Sequence, residues 1–446
     1  GGNTTVTLGG SIVTGSVFGA NNVNGTPLGT VNVIVNKTMP QVGAGTDDYD
    51  VAAVYGGGNQ AAYVPDESIV TTAAATVTVN TCDNSIEYVY GGGNAAPVPA
   101  TNVTIWGGDF EYIFAGGNGA GEGNPGANVG VTTDGETEFG SGNATVNFYG
   151  GNVNHLFGGS NTKGDIVGKA TVNIDELDKE GSNCPVEYVG EAYAAGNEAY
   201  MEGNAEMNIG CVDYEFPVIY GGAKKADVGQ DIVLNITSGK YQQVFGGNNL
   251  GGKILGSITV NVDETGCHPV VIGELYGGGN MAPYSIYGYN DDGTVKDDGT
   301  KLYADPVVNI ISCTSIGAVY GGGYGTSATV VGNPTVNINQ IPGKHAALID
   351  ADDDGDEDEN DDAIGTVGDV FGGGNAAPVQ GNTFVNIGTA KGTLKHVVGD
   401  DDDDIMDLEF DESSANIRGN VYGGGNKAVV TGNTKMTIGP EKTEEP

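Results

Sequence analysis

Basic residues are scarce in this chain. Of its 446 residues only 17 are Lys or Arg, against 58 Asp or Glu, so the formal net charge is −41. A protein that binds nucleic acid needs a basic surface that displaces counterions from phosphates, and anionic membranes likewise attract positive charge. The composition therefore excludes both as partners and favours metal cations, above all Ca²⁺, as counterions.

Long apolar runs are missing as well. No stretch approaches the roughly 20 residues that cross a bilayer, so this segment is not expected to insert into a membrane. The chain begins with Gly, and residues 2–9 (GNTTVTLG) align with residues 432–439 (GNTKMTIG). We therefore expect a segment of a longer protein, with any targeting sequence or anchor outside it.

Glycine is abundant, with 79 residues, and it occurs in a repeated motif in which an aromatic residue precedes a run of small residues. Self-similarity of this kind predicts a repeat architecture, in which each unit buries its apolar face against the next. The motif occurs twelve times, centred on Phe18, Tyr55, Tyr90, Phe114, Phe157, Tyr193, Tyr220, Phe245, Tyr276, Tyr320, Phe371 and Tyr422. In the clearest copies an Asn closes the glycine run, at Asn59, Asn94, Asn280, Asn375 and Asn426.

Short alternating segments lie between the motifs. Residues 171–174 (TVNI) and 335–338 (TVNI) show the period of two that indicates a β-strand. A further short strand leads into each aromatic residue, as Ile86 and Val89 precede Tyr90. Successive aromatics are 24 (Tyr90 to Phe114) to 51 (Tyr320 to Phe371) residues apart. A β-propeller would keep steadier blade lengths, whereas a solenoid coil extrudes its excess residues as loops.

We therefore predict an all-β fold, a parallel β-helix (β-solenoid) of the right-handed form with about 12 coils and loop insertions. Residues 1–439 would form one continuous solenoid, with acidic insertions near 285–304, 344–364 and 395–413 and a tail at 440–446. Equivalent side chains would then stack into columns along the axis. The aromatics would form one column, the Asn residues after the glycine runs an amide ladder, and the outward Asn residues of the strands a polar strip (Asn147, Asn173, Asn208, Asn261, Asn309, Asn337 and Asn386).

All five cysteines fall at one position of the coil, seven to nine residues before an aromatic. Cys184 and Cys211 lie in consecutive coils, as do Cys267 and Cys313, and one coil of separation suits a disulfide. We expect these two bridges, with Cys82 free, or alternatively a column of buried thiols.

The acidic insertions are candidate Ca²⁺ sites. One resembles the start of a calcium loop, with carboxylates at positions 1, 3 and 5 and Gly at position 6, although position 12 is Asp rather than Glu. The alternative is a solvated charge run. The candidate ligands are Asp350, Asp352, Asp354, Asp356, Asp358, Asp361, Asp401 and Asp403.

Catalytic patterns are weak. The four histidines (His155, His268, His345 and His396) pair with no Ser or Cys motif, so no catalytic residue and no cofactor other than Ca²⁺ is predicted. Carboxylates do crowd around Tyr193, and glycoside hydrolysis needs two of them in a cleft. The residues are Glu187, Glu191, Glu198 and Glu202.

The tandem motif, an aromatic residue with Gly-Gly-Gly-Asn followed by a Thr-Val-Asn-Ile strand, resembles the glycine-rich parallel β-helix repeats of bacterial surface proteins. The resemblance covers essentially the whole chain and implies secretion, surface display and an adhesive or scaffolding role. The leading hypothesis is a non-enzymatic extracellular or cell-surface solenoid, serving as stalk, adhesin or fibre subunit that assembles head to tail with itself. The alternatives are a polysaccharide-processing enzyme, glycosidase or lyase, and a module that binds a surface or host glycan through the Thr/Asn strip.

Overall fold

The computed structural model describes residues 2–41, 43, 45, 48–66, 68–70, 72–120, 126–133, 135–177, 184–265, 267–285, 305–341, 364–390, 392–397, 405–410 and 414–439. Thirty strands form in this part of the chain. The first fifteen are β1 (Thr4–Gly9), β2 (Ser16–Phe18), β3 (Val31–Lys37), β4 (Val51–Tyr55), β5 (Ala75–Val79), β6 (Ser85–Tyr90), β7 (Thr101–Ile105), β8 (Asp109–Phe114), β9 (Ala144–Phe148), β10 (Gly151–Phe157), β11 (Ala170–Ile174), β12 (Val186–Tyr193), β13 (Ala205–Ile209), β14 (Glu215–Tyr220) and β15 (Ile232–Ile236). The others are β16 (Gly239–Phe245), β17 (Ile258–Asp263), β18 (Val270–Tyr276), β19 (Tyr284–Ser285), β20 (Val307–Ser312), β21 (Ser315–Tyr320), β22 (Val330–Val331), β23 (Thr335–Ile338), β24 (Thr366–Phe371), β25 (Thr383–Ile387), β26 (Gly392–Val397), β27 (Ile405–Phe410), β28 (Asn416–Ile417), β29 (Val421–Tyr422) and β30 (Thr434–Ile438).

Two long parallel sheets form the walls of the molecule. Sheet A has the order β1-β3-β5-β7-β9-β11-β13-β15-β17-β20-β23-β25-β30, and sheet B runs β2-β4-β6-β8-β10-β12-β14-β16-β18-β21-β24-β28, with β29 also paired to β24. Each strand pairs with its equivalent in the next coil, so the chain advances by one strand spacing per turn. The predicted parallel β-helix of about twelve coils is confirmed; its handedness stays a prediction.

A third side closes the coils with isolated bridges and with one pair of two-residue strands, β19 and β22. Val129 bridges Val98 and Ile166, and Val228 bridges Met201 and Ile254. These side chains are buried, together with the inward Val and Ile residues of sheets A and B, in one apolar core along the axis. The coil is therefore three-sided, and alternation along each strand sends one residue into this core and the next outward.

The aromatic residues of the glycine motifs lie outside this core. Each follows an inward residue at the end of a sheet B strand, as Tyr90 follows Val89, and therefore points to the opposite face. There the aromatics form a second apolar cluster that runs beside sheet B, with Tyr193 and Phe245 fully buried. The glycine run that follows each aromatic residue brings its backbone within contact of the next coil, where a side chain at Gly56 or Gly91 would overlap the neighbouring carbonyl oxygen.

Most of the three predicted acidic insertions lies outside the described residues. The described part of the last one is an antiparallel hairpin, in which β26 pairs with β27. This insertion thus contains a small sheet of its own rather than only irregular loop.

The disulfide pairing expected from the sequence is wrong. Cys82 is bonded to Cys184, with a Cα–Cα distance of 5.7 Å, and Cys211, Cys267 and Cys313 are free. The expectation placed all five cysteines at one position of the coil, but the corners between sheets A and B differ in length. The connections from β5 to β6 and from β11 to β12 are long and lie three coils apart, and the two corners between them are only 106–108 and 149–150. The long corners therefore meet over the short ones.

Glycines make room for this bridge. A Cβ at Gly107 would clash with Sγ of Cys184, and one at Gly150 would overlap the Cys184 backbone. We predict that Gly150→Ala lowers the free energy of unfolding by about 1–3 kcal/mol, as overpacking does. Gly251→Ala is the matched control, because a Cβ there meets nothing within 4 Å. Thermal unfolding of both variants checks this; equal melting temperatures would contradict it.

Candidate functional site: the side-chain columns outside the sheets

The outer face of sheet A carries a continuous amide ladder. In each step the Nδ2 of one Asn donates to the Oδ1 of the Asn one coil earlier, over 2.8–3.2 Å. The members are Asn102, Asn147, Asn173, Asn208, Asn235, Asn261, Asn309, Asn337 and Asn386. The structure brings the whole predicted strip together and extends it.

Two ladder members were not predicted from the sequence. Asn235 lies in a Leu-Asn-Ile segment that fits the strand pattern, so the signal was present. Asn102 lies two residues earlier along its strand than the others, because Asn147 is opposite Thr104 and Asn102 is opposite Thr145. Since every amide between the end members Asn102 and Asn386 uses a donor and an acceptor on its neighbours, the strip satisfies much of its own hydrogen bonding.

The aromatic column beside sheet B is equally continuous. Neighbouring rings, from Phe18 to Tyr422, stack with centroids 4.6–5.3 Å apart and planes within 10° of parallel. The spacing equals the distance between strands, so the backbone ladder dictates the stack. Stacked aromatic pairs stabilise a fold by more than the burial of their apolar surface alone.

A second amide ladder covers the aromatic column. It consists of the residue four positions after each aromatic, and its longest run is Asn22, Asn59, Asn94, Asn118, Asn161 and Asn197, linked over 2.8–2.9 Å. Asn249 with Asn280 and Asn375 with Asn426 continue it. Two coils interrupt the ladder, with Lys224 and Tyr324 in the place of Asn.

The tyrosine hydroxyls connect the column to this ladder by a fixed rule. Each contacts the Asn two coils further along: Tyr193 accepts from Nδ2 of Asn249 at 2.7 Å, and Tyr276 from Asn375 at 3.2 Å. Tyr55 with Asn118 and Tyr90 with Asn161 follow the same pattern. Asn280 and Asn426 are near enough to Tyr220 and Tyr320 to oppose the effect of burial on the pKa of these two phenols. Burial raises the pKa of these phenols, to about 12 for Tyr55, so they stay neutral.

Phenylalanine occupies the column at both positions where this partner is missing, and also at Phe18 and Phe114, where Asn94 and Asn197 are present. Phe157 and Phe245 lie two coils before Lys224 and Tyr324 respectively, the two coils without a ladder Asn. A hydroxyl at either position would be buried without an amide to pair with, and such a group costs free energy. Tyr324 instead packs edge-on against Phe245 and Tyr276, with centroids 6.5 and 5.7 Å apart.

Glu191 is the centre of a polar cluster at the Lys224 interruption. Its Oε2 lies 3.1 Å from each of three groups, namely Nδ1 of His155, the hydroxyl of Tyr193 and Nζ of Lys224. His155 in turn stacks on Tyr112 at 4.7 Å. The hydrogen bond with His155, with those of Lys224 and Tyr193, outweighs burial and lowers the pKa of Glu191 to about 2. This carboxylate is therefore an ionised structural anchor at neutral pH.

The other carboxylates predicted around Tyr193 are separate from Glu191. Glu198 pairs with Lys225 at 3.0 Å, and Glu187 accepts a long hydrogen bond from Asn152. Glu202 lies at another corner, where its backbone N–H donates to Asp165. Burial, opposed by that hydrogen bond, raises the pKa of Asp165 to about 6. The arrangement ties corners of neighbouring coils together.

The predicted metal ligands, Asp350 to Asp361 with Asp401 and Asp403, lie outside the described residues. Within the described part of the chain, no group of three or more His, Cys, Asp or Glu side chains is placed to hold a metal ion. Ca²⁺ binding by the insertions stays a prediction.

The tyrosine–asparagine link predicts a stability effect. Tyr193→Phe removes the hydroxyl and leaves the buried Asn249 amide short of a partner, so we expect a loss of about 1–3 kcal/mol. Tyr422→Phe is the matched control, because Tyr422 is 45% exposed, and should cost little. Chemical denaturation of both variants measures the difference; an equal loss in the two would refute the proposed role of the link.

The Glu191 cluster predicts a dependence on pH. Because the folded pKa lies below the ordinary 4.5, this carboxylate stabilises the fold above pH 4.5, and that contribution is lost as the pH falls towards 2. We expect the stability difference between the native chain and Glu191→Gln to shrink over this range. Melting temperatures of both proteins from pH 6 to pH 2 test this; a constant difference would argue against it.

No protein-family model matches this chain, and no curated protein or solved structure gives a significant match. In the described residues, no helix is long and apolar enough to span a membrane.

Proposed function

We propose that this chain is a non-enzymatic structural protein of the cell surface or the extracellular space, in which the solenoid is a rigid scaffold. The observation that carries the proposal is that the side chains of the outer columns already bind one another. Both amide ladders and the aromatic column bind the equivalent side chain of the next coil, and these contacts stiffen the rod along its axis.

The charges and the disulfide support the same proposal. Bonds such as Cys82–Cys184 persist mainly in oxidising compartments outside the cytosol. A net charge of −41 keeps rods apart laterally by mutual repulsion. A polyanionic glycan substrate would be repelled as well, which weighs against a lyase.

The end of the last described coil offers a surface for a further coil. Val429, Met436 and Ile438 are 64%, 46% and 66% exposed, whereas the residues that precede Met436 and Ile438 in their columns, Val385 and Ile387, are buried. Exposed parallel strand edges of this kind accept another strand. We propose that a second copy of the chain stacks here, head to tail.

Electron microscopy of the purified chain tests the assembly. We expect filaments many times longer than the roughly 60 Å that twelve coils span at the strand spacing. A Met436→Asp, Ile438→Asp double variant should yield single rods, because it places two charges on the stacking surface. Leu177→Asp is the matched control, since Leu177 is exposed away from that surface and should leave filaments intact.

The possible results separate a filament subunit from a single stalk, and both of these from an enzyme. Single rods from the native chain would refute head-to-tail assembly and leave a stalk or adhesin segment. Loss of filaments on chelation would assign Ca²⁺-binding acidic insertions to the joints. Turnover of neutral or acidic polysaccharides by the same preparation would overturn the non-enzymatic assignment.

A further inference from the structure

The two long corners that carry Cys82 and Cys184 have a smaller counterpart further along the solenoid. Between β15 and β16 the corner consists only of residues 237 and 238. The corners on either side are longer, with residues 210–214 between β13 and β14 and residues 264–269 between β17 and β18. Two long corners thus flank a short one, as the two long corners of the Cys82–Cys184 bridge flank short ones.

Both long corners of this second group carry a free cysteine. Cys211 is half-buried and Cys267 is exposed. Burial, and after it the neighbouring thiol of Cys267, raises the pKa of Cys211 to about 12. Backbone hydrogen bonds hold the three corners in register, from Thr237 N–H to Ile209 O at 3.0 Å and from Thr265 N–H to Thr237 O at 3.2 Å. Cys211 and Cys267 each lie two residues beyond one of these bonded positions, so the coil geometry brings the two long corners together over the short one.

Cys267 lies near Tyr241, whose hydroxyl reaches into the short corner. It lies near enough to Tyr241 for a thiolate there to raise the pKa of that phenol, in addition to burial. The Tyr241 hydroxyl donates to the carbonyl of Ser238, inside the short corner. Cys313, in the next coil, is buried and lies 3.8 Å from Oε1 of Gln340.

We propose that Cys211 and Cys267 are a disulfide-forming pair, which closes a second covalent staple over the corner at residues 237 and 238. The bridge would join coils two apart, on the same side of the solenoid as the Cys82–Cys184 bond. With both bonds closed, all but one of the steps between the Tyr90 and Tyr276 coils would lie within a covalent loop.

The bond forms by exchange with a small-molecule disulfide such as glutathione disulfide. The thiolate of the exposed Cys267 attacks one sulfur, forming a mixed disulfide and releasing one glutathione thiolate. The thiolate of Cys211 then attacks Sγ of Cys267 and releases the second. Two protein thiols are oxidised, one glutathione disulfide is reduced to two glutathione molecules, and the two thiol protons pass to solvent or to the departing thiolates.

The first steps of the test use the native chain. It is incubated with glutathione disulfide, and its thiols are counted under denaturing conditions before and after. We expect the count to fall from three to one per chain, and a non-reducing peptide map to show the Cys211 and Cys267 peptides linked. Cys313 should remain the free thiol.

Single variants provide the controls. Cys313→Ser should still lose two thiols and form the same linked peptide. Cys211→Ser should instead retain a glutathione adduct on Cys267, because the second thiol is missing. An unchanged count of three, separate adducts on Cys211 and Cys267, a link to Cys313, or dimers joined through Cys267 would each overturn the proposal. None of these outcomes depends on whether the chain forms filaments.

Discussion

The parallel backbone ladder is the constraint on which the rest of this structure depends. Once each strand pairs with its equivalent one turn later, every side chain lies about 4.8 Å from the same position in the next coil. Flat rings stack at that distance and primary amides hydrogen-bond to one another, which explains why Tyr, Phe and Asn fill the columns outside the sheets. Inside the sheets, most positions are Val and Ile, whose branched side chains pack well against the same residue type in the next coil.

This constraint also explains how much could be predicted from the sequence. The repeat, the strands and the coil number follow from local patterns, since the period of two in segments such as 171–174 needs no knowledge of distant contacts. The ladder member Asn235 could have been found by the same pattern. The acidic ligands proposed for Ca²⁺ fall in segments outside the described residues, so the support for this role comes from the sequence alone.

The errors come from the corners, where sequence position and position in space diverge. Cys82 and Cys184 are 102 residues apart and three coils apart, and the sequence offered nearer partners. Their pairing depends on the lengths of the corners and on Gly107 and Gly150. These features can be recognised only once the ends of the strands are known. The cluster at Glu191 was likewise unpredictable, because its partners His155 and Lys224 come from coils on either side.

The reach of the tyrosine hydroxyls has a mechanical consequence. A solenoid held only by contacts between adjacent coils can come apart one coil at a time, since opening one joint leaves the next unchanged. Here Tyr193 spans from its own coil to Asn249, so the coil between them cannot separate without breaking a bond that passes across it. Overlapping links of this kind couple next-nearest neighbours, and a rod under tension would then yield in blocks of several coils. Phe114 and Phe157 both lack the hydroxyl, so no link of this kind crosses the joint between the Phe157 and Tyr193 coils, and one block would end there.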